Sequence, residues 1–353
     1  MSDHIITYAD AIQEALTLAM EADPNVVVFG LDVDDHKRIY GTTAELVERF
    51  GRGRVFGTPL SEDAMTGVAV GMALAGLRPV HVHIRMDFTL LGMNQLVNMA
   101  AKLHYMSGGQ VKVPLVVRSI IGKSWGQGAQ HSQGLHGLFT QIPGLKVVAP
   151  TTPYDAKGCL MEAILDDNPV MFVEHRLLYQ KSGPVPETPY RVPFGRARIL
   201  RKGSRVTLVG ISYMVDECLR AARLLEQVDI DAEVIDPMSL SPLDMDTIET
   251  SVAVTQYVVV VDCGWVRGGI AAEIVAQLLV RHHWYCDCIG ADYMGFADAP
   301  CPTARRLEAA FYPTARTIAR KVIEMRYGSD DVMYAKLDSL PDPDPPEPFR
   351  GPF

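Results

Sequence analysis

Two short segments hold side chains whose types and spacing suit proton chemistry. The first is Gly57-Thr58-Pro59-Leu60-Ser61-Glu62, followed by Gly67 and the small-residue run Val68–Ala75. A turn here sets a carboxylate at the start of a helix rich in glycine and alanine. Such a helix lets a neighbouring helix or a flat ligand approach its backbone closely. A helix-capping box accounts for the same residues, with Ser61 or Thr58 as cap and Glu62 satisfying first-turn amides. The second segment is Gly126-Gln127-Gly128-Ala129-Gln130-His131-Ser132-Gln133. Its glycines describe a mobile loop presenting an imidazole, the side chain best poised for proton transfer near neutral pH. An ordinary loop histidine bonded to backbone fits that pattern as well.

Three further motifs are weaker. Gly122-Lys123-Ser124-Trp125-Gly126 matches the Gly-x-Ser-x-Gly pattern of hydrolases. A nucleophile elbow must then open a helix, whereas this chain runs on into glycines, and His131 stands too close to be a triad histidine. His282-His283-Trp284-Tyr285-Cys286-Asp287-Cys288 offers metal-ligand residue types at a spacing that fits no standard zinc pattern. It reads as a helix end running into a strand. Gly264-Trp265-Val266-Arg267-Gly268-Gly269 is a glycine-rich turn before a helix, as at phosphate sites, but it lacks the full dinucleotide fingerprint.

Bulk properties narrow the classes. At 353 residues the chain is long enough for two domains. Its net charge of −9 argues against a nucleic-acid surface, which needs a positive field. No apolar run reaches the roughly 20 residues of a bilayer crossing, and Met1-Ser2-Asp3-His4 does not begin a signal peptide. Six scattered cysteines form no disulfide framework, so a reducing cytoplasm is expected.

The elements that must position these residues alternate. Val26–Gly30, Val80–His83, Leu115–Arg118, Leu145–Ala149 and Val170–Val173 are predicted as buried strands. Helical spacing covers Tyr8–Ala22, Ala64–Ala75, Asn94–Tyr105 and Pro153–Leu165. After the proline-rich stretch Ser182–Gly195 the pattern restarts with Val206–Val209, Tyr213–Leu225, Ala232–Ile235, Tyr257–Asp262 and Gly268–Leu279. The fold class is therefore α/β: two domains, each a mostly parallel sheet with helices on both faces. Residues 1–187 are expected as the first domain, 188–200 as a linker and 201–327 as the second. Residues 328–353 are expected as an extended tail, since from Leu340 the chain reads Pro-Asp-Pro-Asp-Pro-Pro-Glu-Pro.

In combination, the motifs resemble the beta subunits of pyruvate, branched-chain 2-oxoacid and acetoin dehydrogenases, from about Ile6 to Tyr327. The matching landmarks stand in order: Arg54-Val55-Phe56-Gly57-Thr58-Pro59-Leu60-Ser61-Glu62, Gly76-Leu77-Arg78-Pro79-Val80, Asp87-Phe88, and Ala101-Lys102 with Tyr105-Met106-Ser107-Gly108-Gly109. Gln130-His131-Ser132-Gln133, Pro143-Gly144-Leu145-Lys146-Val147-Val148, Asp155-Ala156-Lys157-Gly158 and Ala271-Ala272-Glu273-Ile274 complete them.

The resemblance implies a pyrimidine-binding domain, a transketolase C-terminal-like domain and thiamine diphosphate as cofactor. It implies that Glu62 hydrogen-bonds the aminopyrimidine, favouring the imino tautomer that deprotonates the thiazolium carbon. Phe88 would pack against that ring, with Tyr105 near it. His131 would move a proton during acyl transfer to a lipoyl group. Ala163, Asp166 and Asn168, with a carbonyl from Leu115, match a structural potassium site. A helix end capped by Asp166 and Asn168 explains those residues about as well. No Gly-Asp-Gly occurs in the chain, so the magnesium-binding and diphosphate-binding half of the site is missing. In the family an alpha subunit supplies it, in a heterotetramer of two alpha and two beta chains, and a lipoyl-bearing acyltransferase takes the acyl group from a 2-oxoacid.

Some positions depart from the family pattern. Leu31 replaces a usual acid, Ala64 a usual glycine, and Arg85-Met86 stand where aromatic residues are common. Arg85 could pair with a substrate carboxylate or phosphate, or be a solvated charge. Two other functions remain open: a thiamine-dependent carboligase or ketol-transferase subunit without a lipoyl partner, and a non-catalytic assembly subunit.

Overall fold

Valine-rich runs with few polar residues go to the interior of a sheet covered on both faces. In the computed structural model, which describes residues 4–123, 126–281 and 290–343, Val26–Gly30, Val116–Ile121 and Val170–His175 are buried at every position. They belong to a seven-stranded sheet. Its order is Ser239–Ser241, Lys146–Val148, Val170–His175, Val116–Ile121, Arg78–His83, Val26–Gly30 and Val55–Gly57. All pairings are parallel except that of Ser239–Ser241 with Lys146–Val148. That short strand comes from the second half of the chain and covers an edge that would otherwise expose unpaired amides.

The helices begin where their caps dictate. Thr7 and Asp10 form a reciprocal capping box before Tyr8–Ala22, and Thr152 caps Pro153–Leu165, whose first residue is the proline. These two helices pack together, tied by Lys157 Nζ donating to Glu14 Oε2 at 2.8 Å.

A second sheet has the order Gly290–Phe296, Tyr257–Trp265, Val206–Gly210, Ala232–Asp236 and Arg198–Arg201, with only the last strand antiparallel. Two mostly parallel sheets with helices are the expected architecture. The linker expectation is modified at its end, because residues 198–200 already belong to this edge strand. Ser182–Pro184 also pairs, antiparallel to Ile5–Thr7.

The tail differs from its predicted extended form. Asp331–Ser339 is a helix, because Asp330 accepts from the amides of Val332 and Met333 as an N-cap and Leu337 is buried. Prolines begin only at Pro341, beyond the helix. Arg316 and Arg220 donate to the carbonyls of Leu340 and Pro343, both at 2.8 Å, and fasten the segment to the second domain. Residues 344–353 lie outside the described residues, as do Ser124, Trp125 and the cluster 282–288.

Candidate functional site

In a parallel sheet, ligands gather at the carboxyl ends of the strands, where loops diverge and leave a crevice. Here four such loops meet. Leu31 and Asp32 follow Val26–Gly30, Thr58 to Glu62 follow Val55–Gly57, Ile84 to Phe88 follow Arg78–His83, and His131 follows Val116–Ile121. They enclose a cavity of about 500 Å³ whose wall is mostly apolar, including Leu60, Met65 and Leu91. A flat heteroaromatic ring suits this lining, which offers a few polar groups set among hydrocarbon.

Glu62 opens the helix Glu62–Leu74 and faces the cavity. The capping-box alternative fails, since Ser61 takes the cap position without any side-chain cap bond. The Glu62 carboxylate has no hydrogen-bond or ion-pair partner among the described residues; only its backbone carbonyl is used, accepting from Thr66 Oγ1 at 2.7 Å. Gly92 lets the following segment close on this helix, because a Cβ there would stand 2.6 Å from Thr66 Oγ1.

In the same lining, Phe88 and His131 meet edge to face with ring centroids 5.3 Å apart. The loop bearing His131 is held in place. Gly126 and Gly128 adopt positive φ and pass so close to Thr303 that a Cβ on either would stand within 2.8 Å of it. Arg176 donates to Gln127, and the Gln133 amide and side chain donate to Asp87 Oδ1 at 3.2 and 2.8 Å. Burial raises the Asp87 carboxyl above its ordinary range against the pull of those hydrogen bonds.

Two residues overlooked by sequence reasoning form the cavity floor. His81 and His83 alternate along Arg78–His83, so both side chains point to one face. His81 stacks on Phe29 at 4.7 Å and meets His83 edge-on at 4.3 Å. Burial lowers His81 to about 4 and His83 well below its usual value, so both are neutral imidazoles. His81 Nε2 is buried and unpartnered among the described residues. The alternation of histidine with valine was the available signal. Asp32, Met65 and Leu91 gave none of comparable strength.

Tyr105 is not brought to the site within this chain. It lies in the last turn of the helix Ala101–Met106, does not line the cavity and is 87% exposed. Leu115, Ala163, Asp166 and Asn168 meet at the end of Pro153–Leu165. Their oxygens are already engaged: Leu115 O accepts from Val170 N at 2.9 Å and Ala163 O from Asp166 N at 3.3 Å. The Asp166 carboxylate accepts from Lys146 Nζ and, at 2.9 Å, from Asn168 N. Arg78 donates to the carbonyls of Ile164 and Asp166 at 3.0 and 3.1 Å. Lys146 and Arg78 thus share these oxygens, and the same residues close the helix end.

The glycine-rich turn Gly264 to Gly269 serves packing between the domains. A Cβ on Gly264 would lie 2.8 Å from Gly134 O, and one on Gly137 would lie 3.2 Å from Gly269 Cα. Beside it the buried His136 Nε2 and Asp262 Oδ1 are 2.8 Å apart. Among the described residues no helix is long and apolar enough to cross a membrane.

Comparison with known proteins assigns both domains to families. Residues 4–181 match the transketolase pyrimidine-binding domain family and residues 195–318 the transketolase C-terminal domain family. The chain is 41% identical over 324 residues to pyruvate dehydrogenase E1 component subunit beta of Rickettsia felis, covering 92% of this chain and 99% of that one. It is 41% identical over 335 residues to acetoin:2,6-dichlorophenolindophenol oxidoreductase subunit beta of Bacillus subtilis, covering 91% and 97%. A solved structure of a split-gene transketolase, an inactive beta4 tetramer, superposes with a TM-score of 0.74 at 23% identity, covering 91% of this chain and 98% of that one, a likeness of fold. With this identity spanning the length of both chains, the protein belongs to the beta-subunit family of the thiamine-diphosphate-dependent 2-oxoacid dehydrogenases.

Proposed function

We propose that this chain provides the pyrimidine-binding half of a split active site and that an alpha subunit provides the half that holds magnesium and the diphosphate. The observation behind this reading is the unpartnered Glu62 carboxylate in an apolar cavity that Phe88 and His131 also line. The missing Gly-Asp-Gly segment supports it as well. So do Leu60 and Leu91, which line the cavity and are left exposed, as apolar side chains that a partner covers are. A heterotetramer of two alpha and two beta chains suits this arrangement, and the buried thiols Cys159, Cys218, Cys263 and Cys301 suit a reducing cytoplasm.

Thiamine diphosphate, when bound, supplies a carbon nucleophile and a sink for the electrons released with carbon dioxide. The residues of this chain prepare the pocket for it. Glu62 shares a proton with the aminopyrimidine ring, and the wall of Met65, Leu91 and Phe88 excludes water from that hydrogen bond. His81 and His83 stay neutral beneath it and add no competing charge. His131, half-buried at the mouth, gives or takes a proton while the acyl group passes to an acceptor, for which a lipoyl-bearing acyltransferase is the proposed partner.

The test is co-expression with an alpha-type partner chain, followed by calorimetric titration of thiamine diphosphate and assay of carbon dioxide release from 2-oxoacids. Tight cofactor binding should require both chains, and turnover should depend on lipoamide or an artificial electron acceptor. Tight binding and unaided turnover by this chain alone would refute the divided site.

A further inference from the structure

Arg85 is the one arginine or lysine lining the cavity among the described residues. It stands where the strand Arg78–His83 gives way to the short helix Met86–Thr89, in extended conformation at the cap position. Its guanidinium is incompletely used. Nη1 donates to the adjacent Ile84 carbonyl at 3.0 Å, while Nε is buried with no partner. Among the described residues no carboxylate lies within the 4.0 Å of an ion pair.

The neighbouring charges do not cancel it. Asp32, on the facing loop, is close enough to feel Arg85, but burial and then Asp35 raise its carboxyl and weaken it as a counter-ion. Asp87 is occupied by Gln133. Behind the wall stands Arg176, a second guanidinium, whose pKa burial and then Arg85 lower to about 10. Arg85 therefore brings to a mostly apolar lining a guanidinium that no carboxylate pairs, beside the separate carboxylates of Asp32 and Glu62.

Resting on the function proposed above, we infer that Arg85 recognises a second anionic group of the substrate, a carboxylate or phosphate remote from the 2-oxo carbon, and selects for 2-oxoacids that carry one. The reaction itself decides which anion. Decarboxylation breaks the bond between the carboxylate carbon and the 2-oxo carbon; carbon dioxide leaves uncharged and the electron pair remains on the former carbonyl carbon. A guanidinium on that departing carboxylate would stabilise a charge that must be lost, holding the ground state back. A guanidinium on an anion that stays with the acyl group binds ground and transition states alike. Its contribution falls in KM and leaves kcat nearly unchanged.

The experiment uses the assembled alpha and beta subunits with thiamine diphosphate and ferricyanide as acceptor. Initial rates are compared for 2-oxovalerate, 2-oxoglutarate and 2-oxo-4-phosphonobutanoate, three acids of similar length with a neutral, a carboxylate or a phosphonate end. At least one charged acid should exceed 2-oxovalerate by about tenfold or more in kcat/KM, and the better of the two identifies the anion. Arg85→Gln should raise KM for that acid about 100-fold with kcat within about threefold, the range of a charge-assisted hydrogen bond. Arg85→Lys should recover part of the loss. Glutarate, which cannot react, should bind the parent assembly in calorimetry and fail to bind the Arg85→Gln assembly.

Preference for 2-oxovalerate, or a charged-to-neutral ratio unmoved by Arg85→Gln, overturns the assignment. So does weaker thiamine diphosphate binding in Arg85→Gln with the ratio intact, which would give the guanidinium to the cofactor. Release of carbon dioxide from none of the acids overturns the underlying function instead.

Discussion

The imidazole of His131 meets the phenyl ring of Phe88 edge-on, with 5.3 Å between centroids and 74° between planes. One ring comes from a glycine-braced loop after Val116–Ile121 and the other from the turn after Arg78–His83, so the contact joins two walls of the cavity. Removing the phenyl ring takes away both a surface for the cofactor ring and the rest for the imidazole. Phe88→Ala should therefore raise the thiamine diphosphate Kd of the assembled enzyme about tenfold or more, read by calorimetry. An unchanged Kd would place the cofactor ring elsewhere.

Glu62 has no partner within the chain, so its role in folding should be small and its role in catalysis large. Glu62→Gln is expected to leave the melting temperature unaltered and to lower kcat by roughly 10² to 10⁴-fold, the range of positioned acid-base groups. Thermal denaturation and steady-state kinetics on one preparation separate the two effects. A stability loss equal to that of a core substitution would make Glu62 structural.

The neutral histidines beneath the cavity link stability to acid. His81 is held at about 4 in the folded chain against 6.5 when exposed, so below pH 6.5 the unfolded chain binds protons that the folded chain does not. Stability is then lost as pH falls through that window. His81→Phe keeps the stack on Phe29 and removes the titration. About 2 kcal/mol of the loss between pH 7 and pH 5 should disappear, as measured by urea unfolding at each pH. Parallel pH profiles for parent and variant would contradict the burial argument.

Arg118 and Glu174, both fully buried, form a paired hydrogen bond of 2.6 and 2.8 Å between adjacent strands, and Tyr179 adds its hydroxyl to Glu174 at 3.0 Å. Deleting one charge strands the other in the interior. Arg118→Met should cost about 3–5 kcal/mol in urea unfolding, and Arg118→Met with Glu174→Leu should regain most of it. Equal losses in single and double variants would show that packing, not charge, is at stake.

Gly134 marks the closest approach of the His131 loop to the second domain: a Cβ there would stand 1.8 Å from the Cys263 carbonyl oxygen. Gly134→Ala must push the two domains apart and disturb His136 and Asp262 beside it. A loss of at least about 2 kcal/mol, or about 5 °C in Tm, should accompany reduced activity. Gly53→Ala, where nothing lies within 4 Å of the added carbon, is the control.

Much of this was legible in the sequence because it is local. Valine-rich runs gave the strands, apolar spacing and Pro153 gave the helices, and ordered landmarks around Glu62, Phe88 and His131 gave the family. Side-chain type and short spacing are enough for such features, since they depend on neighbours a few residues away. Other features depend on which strands lie side by side. The pairing of Ser239–Ser241 with the first sheet, the burial of His81 and His83, and the unspent guanidinium of Arg85 all arise from partners distant in the chain. Whether Glu62 serves as a helix cap or a free carboxylate was of the same kind. Both readings use the same residues, and only the tertiary structure shows Ser61 without a side-chain cap bond and Glu62 lining the cavity.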